Sequence, residues 1–202
     1  MKNIFFGLVM GATTLAACNS SNNKVAENRN ANKDTAPVKA QVGTSTATRA
    51  TVAEVKDTSA IKEIVATYLQ LKNAFITDNS NDAATAGTLL QTAFKNFGKI
   101  ALTVPQKKLF EEVADDASEH AAHIGKNGGN IVHQREHFIM LSKDMADLIK
   151  AFGNGGQTLY KDFCPMANDG KGAIWISETK DIKNPYLGKV MPTCGTMKEE
   201  IK

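Results

Sequence analysis

All four histidines of this 202-residue chain fall between positions 120 and 137, as His120, His123, His133 and His137. The spacings, i,i+3 and i,i+4, put each pair on one face of a helix. Between the pairs stands Asn127-Gly128-Gly129-Asn130, a helix-breaking turn. Two helices joined by so short a turn are antiparallel neighbours, so the two pairs meet at the same end of the hairpin. Facing side chains from adjacent helices are how helical bundles build metal centres. Metal binding by at least two of these histidines is the leading expectation. The plainer alternative is four ordinary helix histidines satisfied by hydrogen bonds. On a helical projection His120 lies on the apolar stripe and the other three lie at its edge. Asp116, four before His120, and Glu119, four before His123, are candidate acceptors that would orient the rings from behind.

His133-Gln134-Arg135-Glu136-His137 also fits the H-x-x-E-H pattern of inverted zinc proteases, where two histidines hold zinc and the glutamate acts as general base. Those enzymes take a third ligand from a later helix of a much larger α/β fold. Here only a short, turn-rich stretch follows Phe152, and Glu136 projects away from the apolar face and from His137. The match reads as coincidence, and no enzyme is expected. Two cysteines lie further on, each with a methionine close by: Cys164 with Met166, and Cys194 with Met191. In an oxidising compartment an isolated pair defaults to a disulfide. Closing a loop of about 30 residues contributes on the order of 3–4 kcal/mol. The same Cys–Met pairs suit a soft cation such as Cu(I) or Ag(I). Composition leaves both readings open, with the disulfide ahead in the metal-free form. No C-x-x-C-H occurs, so covalent c-type haem is excluded.

The elements that must hold these residues follow from the apolar period. After N-cap candidates at Asp57, Thr58 and Ser59, a first helix carries Ile61, Ile64, Val65, Tyr68, Leu69 and Phe75. The polar break Asp78–Asp82 precedes a second, with Leu89, Leu90, Ala93, Phe94 and Phe97 inward. Val104-Pro105 opens a third, whose stripe is Leu109, Phe110, Val113, Ala117, His120 and Ile124. The fourth runs to about Phe152 on Ile131, Gln134, Phe138, Leu141, Met145 and Leu148, with Met140 and Met145 as core filler. Four amphipathic helices joined by short turns predict a mainly α fold, an antiparallel four-helix bundle. From about residue 157 the chain changes character. It holds the only Trp and short candidate strands at Thr158–Phe163 and Ala173–Ser177, which predicts a small irregular or β-hairpin cap. Trp175, Ile174 and Ile176 are expected to pack that cap on the bundle.

Composition sets the wider frame. Charged residues make up 22% and hydrophobic ones 42%, as in soluble globular domains. The 24 Lys and Arg are scattered among 21 acidic residues, with no basic face or run, so no nucleic-acid partner is expected. Residues 1–17 combine a positive start with an apolar stretch ending in Leu15-Ala16-Ala17-Cys18, the pattern of a bacterial lipoprotein signal. Cys18 would be diacylated, and two or more chains make a stable membrane anchor. Residues 18–57 hold no aromatic residue and no Leu, Ile or Met, so a flexible tether is expected, reaching about 35 Å. No acidic cluster follows Cys18. The expected location is therefore periplasmic, anchored to a bacterial membrane, the outer one favoured. Residues 58–202 are expected to form one domain.

Four blocks in order, His133–Phe138, Tyr160–Ala167, Gly172–Ser177 and Asn184-Pro185-Tyr186-Leu187-Gly188 through Met191 to Cys194-Gly195, resemble a bacterial family named only as domain of unknown function 3347. The resemblance covers roughly residues 60 to 202. Members of that family are typically lipoproteins of Bacteroidetes-type bacteria, and related domains are fused to periplasmic adaptor subunits of heavy-metal efflux pumps. The resemblance thus implies copper or silver handling, with zinc as another candidate ion and an efflux adaptor as a candidate partner. The adaptors' own metal-binding segment has a closer Cys-x-x-Cys-Gly-Met arrangement, which this chain lacks. The expected function is metal buffering or delivery, most of all of copper, with ligands from the four histidines and from Cys164, Met166, Met191 and Cys194. The rival expectation is a metal-free interaction module, its cap pinned by a Cys164–Cys194 disulfide, docking an envelope partner.

Overall fold

A computed structural model describes residues 58–202; the expected signal, Cys18 and the tether lie outside the described residues. Four helices come first: α1 Thr58–Ile76, α2 Ser80–Phe97, α3 Val104–Lys126 and α4 Ile131–Phe152. Local chemistry fixes their ends. Asn79 caps α2 by accepting from the Asp82 amide at 3.1 Å. At the start of α3, Pro105 occupies the first turn and Gln106 accepts from the Thr103 amide at 3.1 Å. Asn130 opens α4 by accepting from the His133 amide at 3.3 Å. Gly153, at φ +94°, closes it.

Each helix packs on the next, and α4 returns to α1, so the bundle is the one the sequence predicts. Its centre is apolar and fully enclosed: Ile64, Tyr68, Leu71 and Phe75 of α1 meet Leu90 of α2 and Phe138, Leu141 and Met145 of α4. Each such side chain contributes roughly 1.5–3 kcal/mol relative to exposure. Tyr68 and Phe75 lie 5.3 and 4.9 Å from the Phe138 ring. A Cβ on Gly125 would stand 2.6 Å from Thr88 Oγ1, so glycine there lets α3 approach α2 closely. Three inward expectations are corrected. Leu89, Leu109 and Met140 are 48%, 37% and 44% exposed. In each case the next residue in sequence, Leu90, Phe110 or Leu141, takes the core seat and the apolar neighbour before it is left at the edge of the buried face. Among the described residues no helix is long and apolar enough to cross a membrane.

The cap is a three-stranded antiparallel sheet: β1 Leu159–Cys164, β2 Ala173–Ser177 and β3 Thr196–Ile201, in the order β2-β1-β3. The second strand matches its expected bounds and the first is shifted by one residue. β3 was not anticipated. It reads Thr-Met-Lys-Glu-Glu-Ile and is almost wholly exposed, so it lacks the apolar alternation that marks a strand. β2 rests on α4, with Trp175 and Ile176 fully buried. Tyr68 Oη accepts from the Ile176 amide at 3.2 Å, and Tyr186 donates to the Ile174 carbonyl. Asp162 is fully buried, and neither of its carboxylate oxygens has a hydrogen-bond partner among the described residues. Burial pushes its carboxyl up to about 6, against the pull of Lys72, which itself pairs with Glu178 at 2.5 Å.

A further side chain, Arg135, also ties cap to bundle. Arg135 Nε donates to the Pro185 carbonyl at 2.7 Å, while Nη2 donates to the Phe75 carbonyl at 2.8 Å and to Asp78 Oδ1 at 2.6 Å. The Lys189 amide, in the short 3₁₀ turn Gly188–Val190, donates to Asp78 Oδ2 at 3.1 Å.

Candidate metal centre

His120 and His123 stand on α3, and His133 and His137 on α4, all four half-buried. His123, His133 and His137 each offer one ring nitrogen, and these three atoms lie within 4.8 Å of one another. Metal–nitrogen bonds of about 2.0–2.1 Å in a tetrahedron hold nitrogens about 3.3 Å apart. Small rotations of half-exposed rings close that difference. His137 is the hub. The His123 ring stacks on it at 4.5 Å and the His133 ring stands edge-on at 4.7 Å. His120 lies outside the triad but touches the hub, its Nδ1 being 3.1 Å from His137 Nδ1. That contact is either an N–H···N hydrogen bond or the spacing of two ligands sharing an ion.

The residues between the α4 histidines hold the helix in place. Gln134 is fully buried. It donates to the Ser80 and Ile124 carbonyls, each at 3.0 Å, and accepts from Ser80 Oγ at 2.6 Å. It thereby fastens the end of α3 and the start of α2 to the first turn of α4. Arg135, on another side, makes the cap clamp. Glu136 Oε2 lies 3.0 Å from His133 Nδ1, so it orients that ring instead of facing the triad as a base would. The i,i+3 spacing was the available signal for that contact. Of the expected orienting acids, Glu119 Oε1 lies 3.6 Å from His123 Nε2. Asp116 makes no hydrogen bond to a ring and acts on His120 through its charge.

Burial favours the neutral form of two of the rings. Burial lowers the His120 pKa, further lowered by His123 and opposed by Asp116 and Glu119. Burial also lowers that of His137, assisted by the charges of His123, His133 and His120 and opposed by Glu136. A neutral imidazole is the form that ligates, so the lowered pKa values of His120 and His137 favour ligation by those two rings. Three imidazoles with a free fourth position, or four with His120, form a donor set that suits zinc or copper.

The sulfur residues form a separate group. Cys164 and Cys194 are free thiols with Sγ atoms 2.9 Å apart, and neither belongs to the histidine cluster. Met191 accepts the Cys194 amide at its carbonyl, and Met166 is more than half exposed nearby. Among the described residues, Cys164 and Cys194 thus pair with each other and stand outside the three-histidine group.

Residues 64–157 match the family model described as "Protein of unknown function (DUF3347)". That span contains nearly all of the bundle and all four histidines, and it stops just before β1. No curated protein and no solved structure matches the chain significantly.

Proposed function

We propose that this protein binds a borderline or soft metal ion, copper foremost with zinc and silver as competitors, at the imidazoles of His123, His133 and His137. The observation that carries the proposal is the convergence of three ring nitrogens from two helices, within 4.8 Å of one another. His120, against His137, is a fourth donor or a hydrogen-bonding support. The chemistry we propose is binding: Glu136 is engaged with His133 and Glu119 lies beside His123, and among the described residues the converging group itself holds only imidazoles. Residues 1–18 support a lipid anchor at Cys18 in a periplasmic setting. Buffering the ion, or handing it to an efflux adaptor, is the role that combines such an anchor with an open three-histidine site.

Calorimetry with Cu(II), Zn(II) and Cu(I) on the wild type and on His133→Ala and His137→Ala tests it. Micromolar or tighter binding of at least one ion, weakened at least 10-fold by either substitution and falling below about pH 6, is expected. Absence of binding of all three ions, or binding untouched by both substitutions, refutes it.

A further inference from the structure

The thiols of Cys164 and Cys194 are 2.9 Å apart, nearer than unbonded sulfur atoms rest against each other, and both stand free. Their backbones are held by strands that pair: Cys164 ends β1, and Cys194 lies two residues before β3, whose first residue Thr196 faces Phe163. The approach to Cys194 is fixed as well. Its amide donates to the Met191 carbonyl at 3.2 Å, and Asn184, itself fully buried, donates to its carbonyl at 2.6 Å. The two thiols differ in access. Cys164 is fully buried, whereas Cys194 is half-buried and reachable from solvent.

We infer that Cys164 and Cys194 are a dithiol–disulfide couple that exchanges with a disulfide-bearing oxidant, Cys194 being the entry thiol and Cys164 the resolving one. The Cys194 thiolate attacks one sulfur of the oxidant's disulfide, whose S–S bond breaks and whose other sulfur leaves as a thiolate and takes up a proton. Cys164 then gives up its proton and attacks Cys194 Sγ. The second oxidant thiolate is expelled and protonated. The protein loses two electrons and two protons, and the oxidant gains both. The product ties β1 to the segment before β3, across the stretch that carries Asn184, Pro185 and the Gly188–Val190 turn. The inference is independent of whether the histidines bind metal, because the thiols lie outside that cluster. Contact with Cys164, and then burial, pushes the Cys194 thiol up. Exchange should therefore quicken about 10-fold per pH unit between pH 7 and 8, as the thiolate fraction grows.

The test uses the full chain, oxidised glutathione as probe, acid quenching and peptide mapping. Expected is a Cys164–Cys194 linked peptide pair two hydrogens lighter than the free peptides, preceded by a transient glutathione adduct on Cys194. In Cys164→Ser that adduct should persist on Cys194, and in Cys194→Ser Cys164 should stay unmodified. Both thiols remaining free in the wild type, a link from either to Cys18, or an adduct forming first on Cys164 would overturn it. The wild-type map alone decides the matter if a variant fails to fold.

Discussion

Gly188 is where the cap clamp can be broken with one methyl group. Its φ is +49°, and a Cβ there would stand 2.7 Å from Arg135 Nη2 and far closer to Asp78 Oδ1. Gly188→Ala therefore acts twice. The left-handed backbone costs about 1–2 kcal/mol for a residue with a Cβ. Displacing Asp78 from Arg135 removes a charge-assisted hydrogen bond, worth about 1.5–3 kcal/mol when partly shielded. Arg135 is 17% exposed in this pair and Asp78 32%, so the lower half of that range applies. The sum is about 3 kcal/mol, or a fall in Tm of roughly 6–12 °C for a domain of this size. Urea unfolding followed by circular dichroism measures it, with Asp78→Ala as the second arm of a double-mutant cycle. In the Asp78→Ala background the same glycine substitution should cost only the backbone share, about 1–2 kcal/mol. A loss under about 0.5 kcal/mol, or strict additivity with Asp78→Ala, would refute the clamp argument.

Three other outcomes follow from the same structure. Asp162 is buried without a partner and its carboxyl is raised to about 6, so the folded state binds its proton more tightly than the unfolded state. Stability from this group rises as pH falls from 6 through the unfolded value near 3.8, and above 6 the buried charge is a penalty of roughly 3 kcal/mol. Asp162→Asn should accordingly stabilise at pH 7.5 and do little at pH 4, as read by denaturant midpoints. His120 and His137 carry the opposite sign: lowered folded pKa values mean the unfolded chain takes up more protons below 6.5. Metal-free wild type should lose stability between pH 7.5 and 5.5 relative to His137→Asn, and a flat difference between the two would contradict the burial of that ring. Gln134→Leu leaves the Ser80 and Ile124 carbonyls without their amide donor, so a loss of about 2–4 kcal/mol in chemical denaturation is expected.

Much of the fold was legible because its signals are local. Helix ends are written in Asn79, Pro105, Asn130 and Gly153, and the apolar period carries the bundle between them. Adjacent apolar pairs such as Leu89 and Leu90 defeated that reading, since period alone does not say which member a neighbouring helix will cover. β3 escaped because its strand character comes from backbone pairing with β1 and not from its own side chains. At the candidate site the histidine pairs were visible from spacing. The work of Gln134 and Arg135 was not, since their partners Ser80, Asp78 and Pro185 lie roughly 50 positions away in sequence. The division of the sulfurs from the imidazoles is likewise tertiary: β2 seats on α4 through Trp175 and Ile176, and the thiols go with the cap.

The five residues His133 to His137 show how a bundle can aim a site it does not enclose. A helix advances about 100° per residue, so these five side chains point around the whole circumference of α4. Two of them hold the helix from different sides, Gln134 against α2 and α3 and Arg135 against α1 and the cap. Ring nitrogens ride about 5–6 Å from the helix axis, so a 10° roll of α4 would move them about 1 Å. Ligand positions for a transition metal tolerate only a few tenths of an ångström. Two hydrogen-bonding anchors between the proposed ligands in sequence, Gln134 buried and Arg135 half-buried, help to set the rotation of α4. Neither anchor touches the site. Their loss should weaken metal binding while leaving all four histidines present, a pattern that separates positioning from ligation.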